Sequence, residues 1–114
     1  MFETKTPYTY VSDASTNARN VVATGCHVRR LTVINTTGTI YYLKLFDKAT
    51  APTVGTDTPV QNFPIPANIL GAGISIEVDA GFAKGLGMAL TGGIALLDNS
   101  VAAAGVAINF TVGT

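Results

Sequence analysis

The chain has 114 residues, 47% of them hydrophobic and 12% charged, with seven basic residues balancing seven acidic ones. This length suits one domain around one core, and the composition excludes disorder, which needs low hydrophobicity and high charge. Zero net charge leaves no basic excess for nucleic acid and little repulsion between copies, and the single cysteine, Cys26, excludes an intrachain disulfide.

Residues 1–14 read as a separable, Thr-rich N-terminal arm carrying Phe2, Tyr8 and Tyr10, ahead of a folded domain at 15–114. The start of the chain lacks the basic and apolar regions of a secretion signal, and the apolar stretch Leu86–Leu97 is glycine-broken and too short to span a bilayer. The expectation is synthesis in a cytoplasm with no membrane partner.

The hydrophobic period is 2 rather than 3.6. Leu31 and Val33 alternate with Arg30 and Thr32, and Tyr41, Leu43 and Leu45 share one face while Tyr42, Lys44 and Phe46 share the other. Asn35-Thr36-Thr37-Gly38 is turn-like, so 28–34 and 39–46 read as a hairpin. Asp47–Pro59 is a long loop, and Pro64 and Pro66 around Ile65 mark an edge strand or a strand end. Ile74, Ile76 and Val78 alternate with Ser75, Glu77 and Asp79. Leu86, Met88 and Leu90 alternate with Gly85, Gly87 and Ala89, small residues that imply close backbone approach. Leu97–Gly105 is a polar-to-small connection, and Val106, Ile108, Phe110 and Val112 give the cleanest alternation of all. The sum is seven or eight strands, near 8–12, 18–24, 28–34, 39–46, 59–65, 73–78, 82–91 and 105–112. That pattern predicts an all-β, single-domain β-sandwich, a jelly roll or a related Greek key.

No pattern of residues specifies catalysis, a cofactor or a metal. Cys26 and His27 are neighbours on a strand, so they face opposite ways and cannot form a nucleophile–base dyad. Glu77 and Asp79 share a strand face at roughly 6.6 Å, a spacing open to carboxylate chemistry, yet that is the face opposite the apolar one. Arg29-Arg30 reads as one arginine to each face, with Arg30 a contact residue. Gly81, Gly85 and Gly87 fit no phosphate-loop spacing. Tyr41-Tyr42 offers one outward ring, Tyr42, for a protein contact or for a sugar.

The segment Tyr41-Tyr42-Leu43-Lys44-Leu45-Phe46-Asp47-Lys48, its continuation Pro52-Thr53-Val54-Gly55-Thr56-Asp57-Thr58-Pro59-Val60, the stretch Pro64-Ile65-Pro66-Ala67 and the later Gly87-Met88-Ala89-Leu90-Thr91-Gly92-Gly93 carry a resemblance. Over residues 15–112 the chain resembles small virion-associated proteins of tailed bacteriophages. The resemblance implies a β-sandwich without an active site: a capsid decoration (cement) protein on the outside of a phage head. Its partners would be the major capsid protein and other copies of itself, as a homotrimer. Phe2, Tyr8, Tyr10, Arg30 and Tyr42 are the expected partner contacts. The alternative is a small tail or head-fibre module that touches host glycan.

Overall fold

The computed structural model describes residues 5–113, so Phe2 lies outside the described residues. Among the described residues there are eight strands: β1 (Lys5–Val11), β2 (Arg19–Val22), β3 (Cys26–Asn35), β4 (Tyr41–Asp47), β5 (Gln61–Ile65), β6 (Ile74–Phe82), β7 (Leu86–Thr91) and β8 (Val106–Gly113). Among the described residues there is no helix long and apolar enough to cross a membrane. Two four-stranded antiparallel sheets form, in the orders β1-β8-β3-β6 and β2-β7-β4-β5. The first strand pairs with the eighth, the second with the seventh, the third with the sixth and the fourth with the fifth. The chain is thus one long hairpin rolled onto itself, the jelly-roll solution of an all-β sandwich.

The core lies between the sheets. Val28, Leu31 and Val33 of β3 and Ile108, Phe110 and Val112 of β8 face Leu43 and Leu45 of β4 and Leu86, Met88 and Leu90 of β7. In the β1-β8-β3-β6 sheet, whose outer face is open, a one-residue slip would turn these apolar residues to solvent, so the alternation sets the face.

Two expectations are corrected. Residues 28–34 and 39–46 are not a hairpin: β3 and β4 sit in different sheets. Both long edges of β3 are already taken, by β6 and by β8, so β4 has no edge to join. The link between them crosses from sheet to sheet, and buried Asn35 fixes it by donating from Nδ2 to the carbonyls of Thr39 (2.9 Å) and Ile65 (3.1 Å). Nor is the N-terminal region an arm over residues 5–11. That segment is β1, in register with β8 from Lys5↔Gly113 to Val11↔Ala107, because Tyr8 and Tyr10 alternate inward and pack against the core.

The outer faces of the two sheets differ. Every residue of β7 is buried, so both of its faces are covered. On the side away from the core, the β4–β5 loop lies close against the strand. A Cβ on Gly87 would stand 3.3 Å from Pro52 Cδ and 3.4 Å from Phe46 Cβ, which explains the small residues there. The outer face of the β1-β8-β3-β6 sheet is open, with Thr9 Oγ1 donating to Asn109 Oδ1 at 3.0 Å and Asn109 Nδ2 to the Thr32 carbonyl at 3.3 Å.

Candidate interaction surfaces

The residues expected to meet a partner do not converge. Tyr8 and Tyr10 line the flank between β1 and β2, where Arg19, Asn20, Val21 and Phe110 complete a cleft of about 100 Å³. The Tyr10 hydroxyl donates to Asn17 Oδ1 at 2.7 Å, and the Arg19 guanidinium stacks 4.2 Å from the Tyr10 ring centre. Asn17 takes a positive φ of 55° and also accepts from the Asp13 amide, so this tyrosine is tied into the β1–β2 turn. Tyr42 is half-buried on the outer face of β4, opposite Pro64 and Thr91 in register. Arg30 stands on the open face of the other sheet, with 56% of its side chain exposed.

Arg29 and Arg30 do not point to opposite faces. Val28 and Leu31 are both fully buried, a spacing of three that an unbroken strand cannot produce. A bulge between Val28 and Arg30, where β3 takes two steps against one on β8, supplies the extra residue. Both arginines therefore lie on the open face, beside Lys5, Glu77 and Thr111 around a depression of about 290 Å³. Glu77 and Asp79 share that face and are spoken for. Asp79 Oδ1 meets His27 Nε2 at 2.7 Å and Arg29 Nη1 at 3.2 Å, and Glu77 Oε2 meets Arg30 Nη2 at 3.7 Å. The His27 contact, with the charges of His27 and Arg29, holds the Asp79 carboxyl below its ordinary value. Cys26 packs against the core, and burial, reinforced by the charge of Asp47, raises its thiol pKa. That makes it a poor nucleophile at neutral pH. Among the described residues there is no group of three or more His, Cys, Asp or Glu side chains that could hold a metal.

A feature the strand pattern did not reveal is the β7–β8 loop, which folds over the outer face of β4. Lys44 has no exposed surface; its stem runs under the loop and Nζ donates to the carbonyls of Ala95 (2.6 Å) and Asp98 (3.4 Å). Burial lowers the Lys44 pKa, and the nearby Asp98 charge opposes that shift. Asp98 in turn accepts from the Ser100 hydroxyl (2.5 Å) and amide (2.9 Å), which draws its own pKa down. Asn62 Nδ2 donates to the Ile94 carbonyl at 2.7 Å. The polar side of the loop is consumed by these contacts, and its apolar side chains are turned outward: Ile94 is 66% exposed, Leu96 48%, Leu97 52% and Val101 63%. The sequence signal was Lys44 itself, a charge on a strand face whose neighbours Tyr42 and Phe46 want cover.

No protein family, no curated protein and no solved structure matches the chain.

Proposed function

We propose that this chain is a structural protein of a tailed-phage particle, a decoration protein that binds the outside of the head and holds neighbouring subunits together. The observation that carries the reading is the apolar side of the β7–β8 loop. Exposed aliphatic side chains on a segment fixed by a buried lysine and several hydrogen bonds form a preordered contact, and clustered apolar surface of this kind marks protein interaction sites. Zero net charge fits a protein that spends its life packed against neighbours. The resemblance of residues 41–67 and 87–93 to virion-associated proteins supplies the biological setting.

On this reading the partners are the major capsid protein and further copies of the chain. Repetition over a lattice lets modest individual contacts act together. Electron microscopy of particles with and without the gene tests it. The expected result is the loss of a regular set of protrusions from the head surface, with heads that release genome at a lower temperature. Unchanged heads with density missing from the tail would refute the head assignment.

A further inference from the structure

Four strands end the two sheets: β1 and β6 in one, β2 and β5 in the other. An open edge presents unpaired backbone groups that invite another strand, and proteins usually blunt it with proline, shortness or irregularity. Three of these edges are blunted in that way. β1 contains Pro7, β5 contains Pro64, and β2 has four residues with a break in register between Asn20 and Val22. β6 is different: nine residues, Ile74–Phe82, with no proline. Its irregularity, Val78-Asp79 opposite a single β3 residue with Asp79 at φ 44°, follows the regularly paired Ile74–Glu77, and the alternation of half-buried and exposed side chains continues through Val78.

The side chains of that segment are arranged to be completed. Ile74, Ile76 and Val78 face inward at the rim of the core yet remain only half-buried, as the last strand of a sheet leaves them. Ser75 and Glu77 face outward and are exposed, and Glu77 leans inward over the sheet toward Arg30, away from the edge. On the approach to β6, Ile69 and Leu70 are 72% and 92% exposed.

We infer that β6 pairs with β6 of a second copy, antiparallel about Ile76, joining two four-stranded sheets into one of eight strands. The sequence is self-complementary in that register. Ile76 meets its own copy, Ile74 meets Val78, and Ser75 meets Glu77 on both sides of the two-fold axis. Apolar residues oppose apolar ones, and no like charges stand directly opposite. Moving the axis one residue along, to Glu77, would set the two glutamates against each other, which cross-strand pairing disfavours. Such a contact is isologous and makes a dimer, in place of the trimer implied by the resemblance. The inference concerns the isolated chain and does not rest on the phage reading.

Ser75 gives a test with two opposite signs, because it is exposed and its replacement leaves the core untouched. Sedimentation equilibrium of the wild-type chain should show a reversible dimer. Ser75→Glu places a carboxylate opposite Glu77 twice and should weaken the dimer about tenfold, whereas Ser75→Lys places an ammonium there twice and should tighten it by a similar factor. In a Cys26→Ser background, the Ser75→Cys, Glu77→Cys double variant should oxidise to a covalent dimer linked from position 75 of one copy to position 77 of the other. A chain that stays monomeric at millimolar concentration overturns the inference. So does a dimer or trimer whose affinity is indifferent to both charges at position 75, or a disulfide map that joins other positions.

Discussion

Replacing Lys44 with methionine keeps the apolar stem beneath the β7–β8 loop and removes the ammonium. Two carbonyls then lose a donor, that of Ala95 at 2.6 Å, which keeps the Asp98 amide at 3.0 Å, and that of Asp98 at 3.4 Å. The shorter bond carries most of the effect. A hydrogen bond from a charged donor contributes roughly 1.5–3 kcal/mol. Relief of the buried charge offsets part of this, so the net cost is about 2 kcal/mol. It falls on the loop, because the strands beneath keep their ladders and the core side of β4 is unchanged. About 2 kcal/mol corresponds to a loop that opens roughly 30-fold more often. Hydrogen exchange with peptide-level readout measures this directly, since protection of the Gly92, Asp98 and Ala102 amides depends on the loop being closed. The expected result is exchange about 30-fold faster across residues 92–102, with β3 and β8 little changed. Equal protection in wild type and variant would refute the role given to Lys44. Loss spread evenly over all strands would refute the confinement of that role to the loop.

Gly85→Ala should be severely destabilising, since a Cβ there would sit 2.5 Å from the Val22 carbonyl oxygen and 2.9 Å from that of Lys48, both backbone atoms; a melting temperature within a degree or two of wild type would contradict this. Leu43→Ala, at a fully buried centre of the core, should cost about 2–5 kcal/mol in urea unfolding, and a loss near zero would mean the sheets are not packed as described. Asp47, Asp57, Asp79 and Asp98 titrate below the ordinary 3.8, held down chiefly by the Lys84 amide, the Lys48 ammonium, His27 and the Ser100 hydroxyl respectively. Depressed folded-state values mean that the stability they contribute is present above 3.8 and lost as pH falls through the lower folded values. Thermal melts against pH should therefore fall away on the acid side of that value, and a midpoint that climbs on acidification would reverse the sign. Cys26, half-buried and with a raised thiol pKa, should react with a disulfide reagent more slowly than a small free thiol at neutral pH; faster labelling would contradict its packing.

The strands were legible because burial on one face imposes a period of two. Val106 to Val112 and Ile74 to Val78 show it without interruption, and both stretches are strands as expected. Pro64 correctly marked β5 as an edge. Phase was harder to read than period: the step from Val28 to Leu31 is three residues, and that single irregularity is the trace of the bulge that brings Arg29 and Arg30 to one face. Sheet membership was harder still. The alternation of β3 and β4 is the same whether they pair with each other or face each other across a core, so a short turn-like link suggested a hairpin where the chain changes sheets. The β7–β8 loop was least legible, because its conformation depends on Lys44, about 50 residues away in sequence, and on Asn62. The expected contacts were read from residue type alone. Type does not reveal that the Tyr10 ring is held by Arg19 and its hydroxyl by Asn17.

The most direct measurement returns the purified chain to particles made without it and counts bound copies by electron microscopy. Wild-type protein should restore full occupancy of the head. A variant with Leu96→Ser and Leu97→Ser, both on the exposed side of the β7–β8 loop, should fold with an unchanged melting temperature and bind at a small fraction of that occupancy. Equal occupancy by the two proteins would contradict the claim that this loop is the docking surface, and absence of wild-type binding to heads would contradict the decoration role itself.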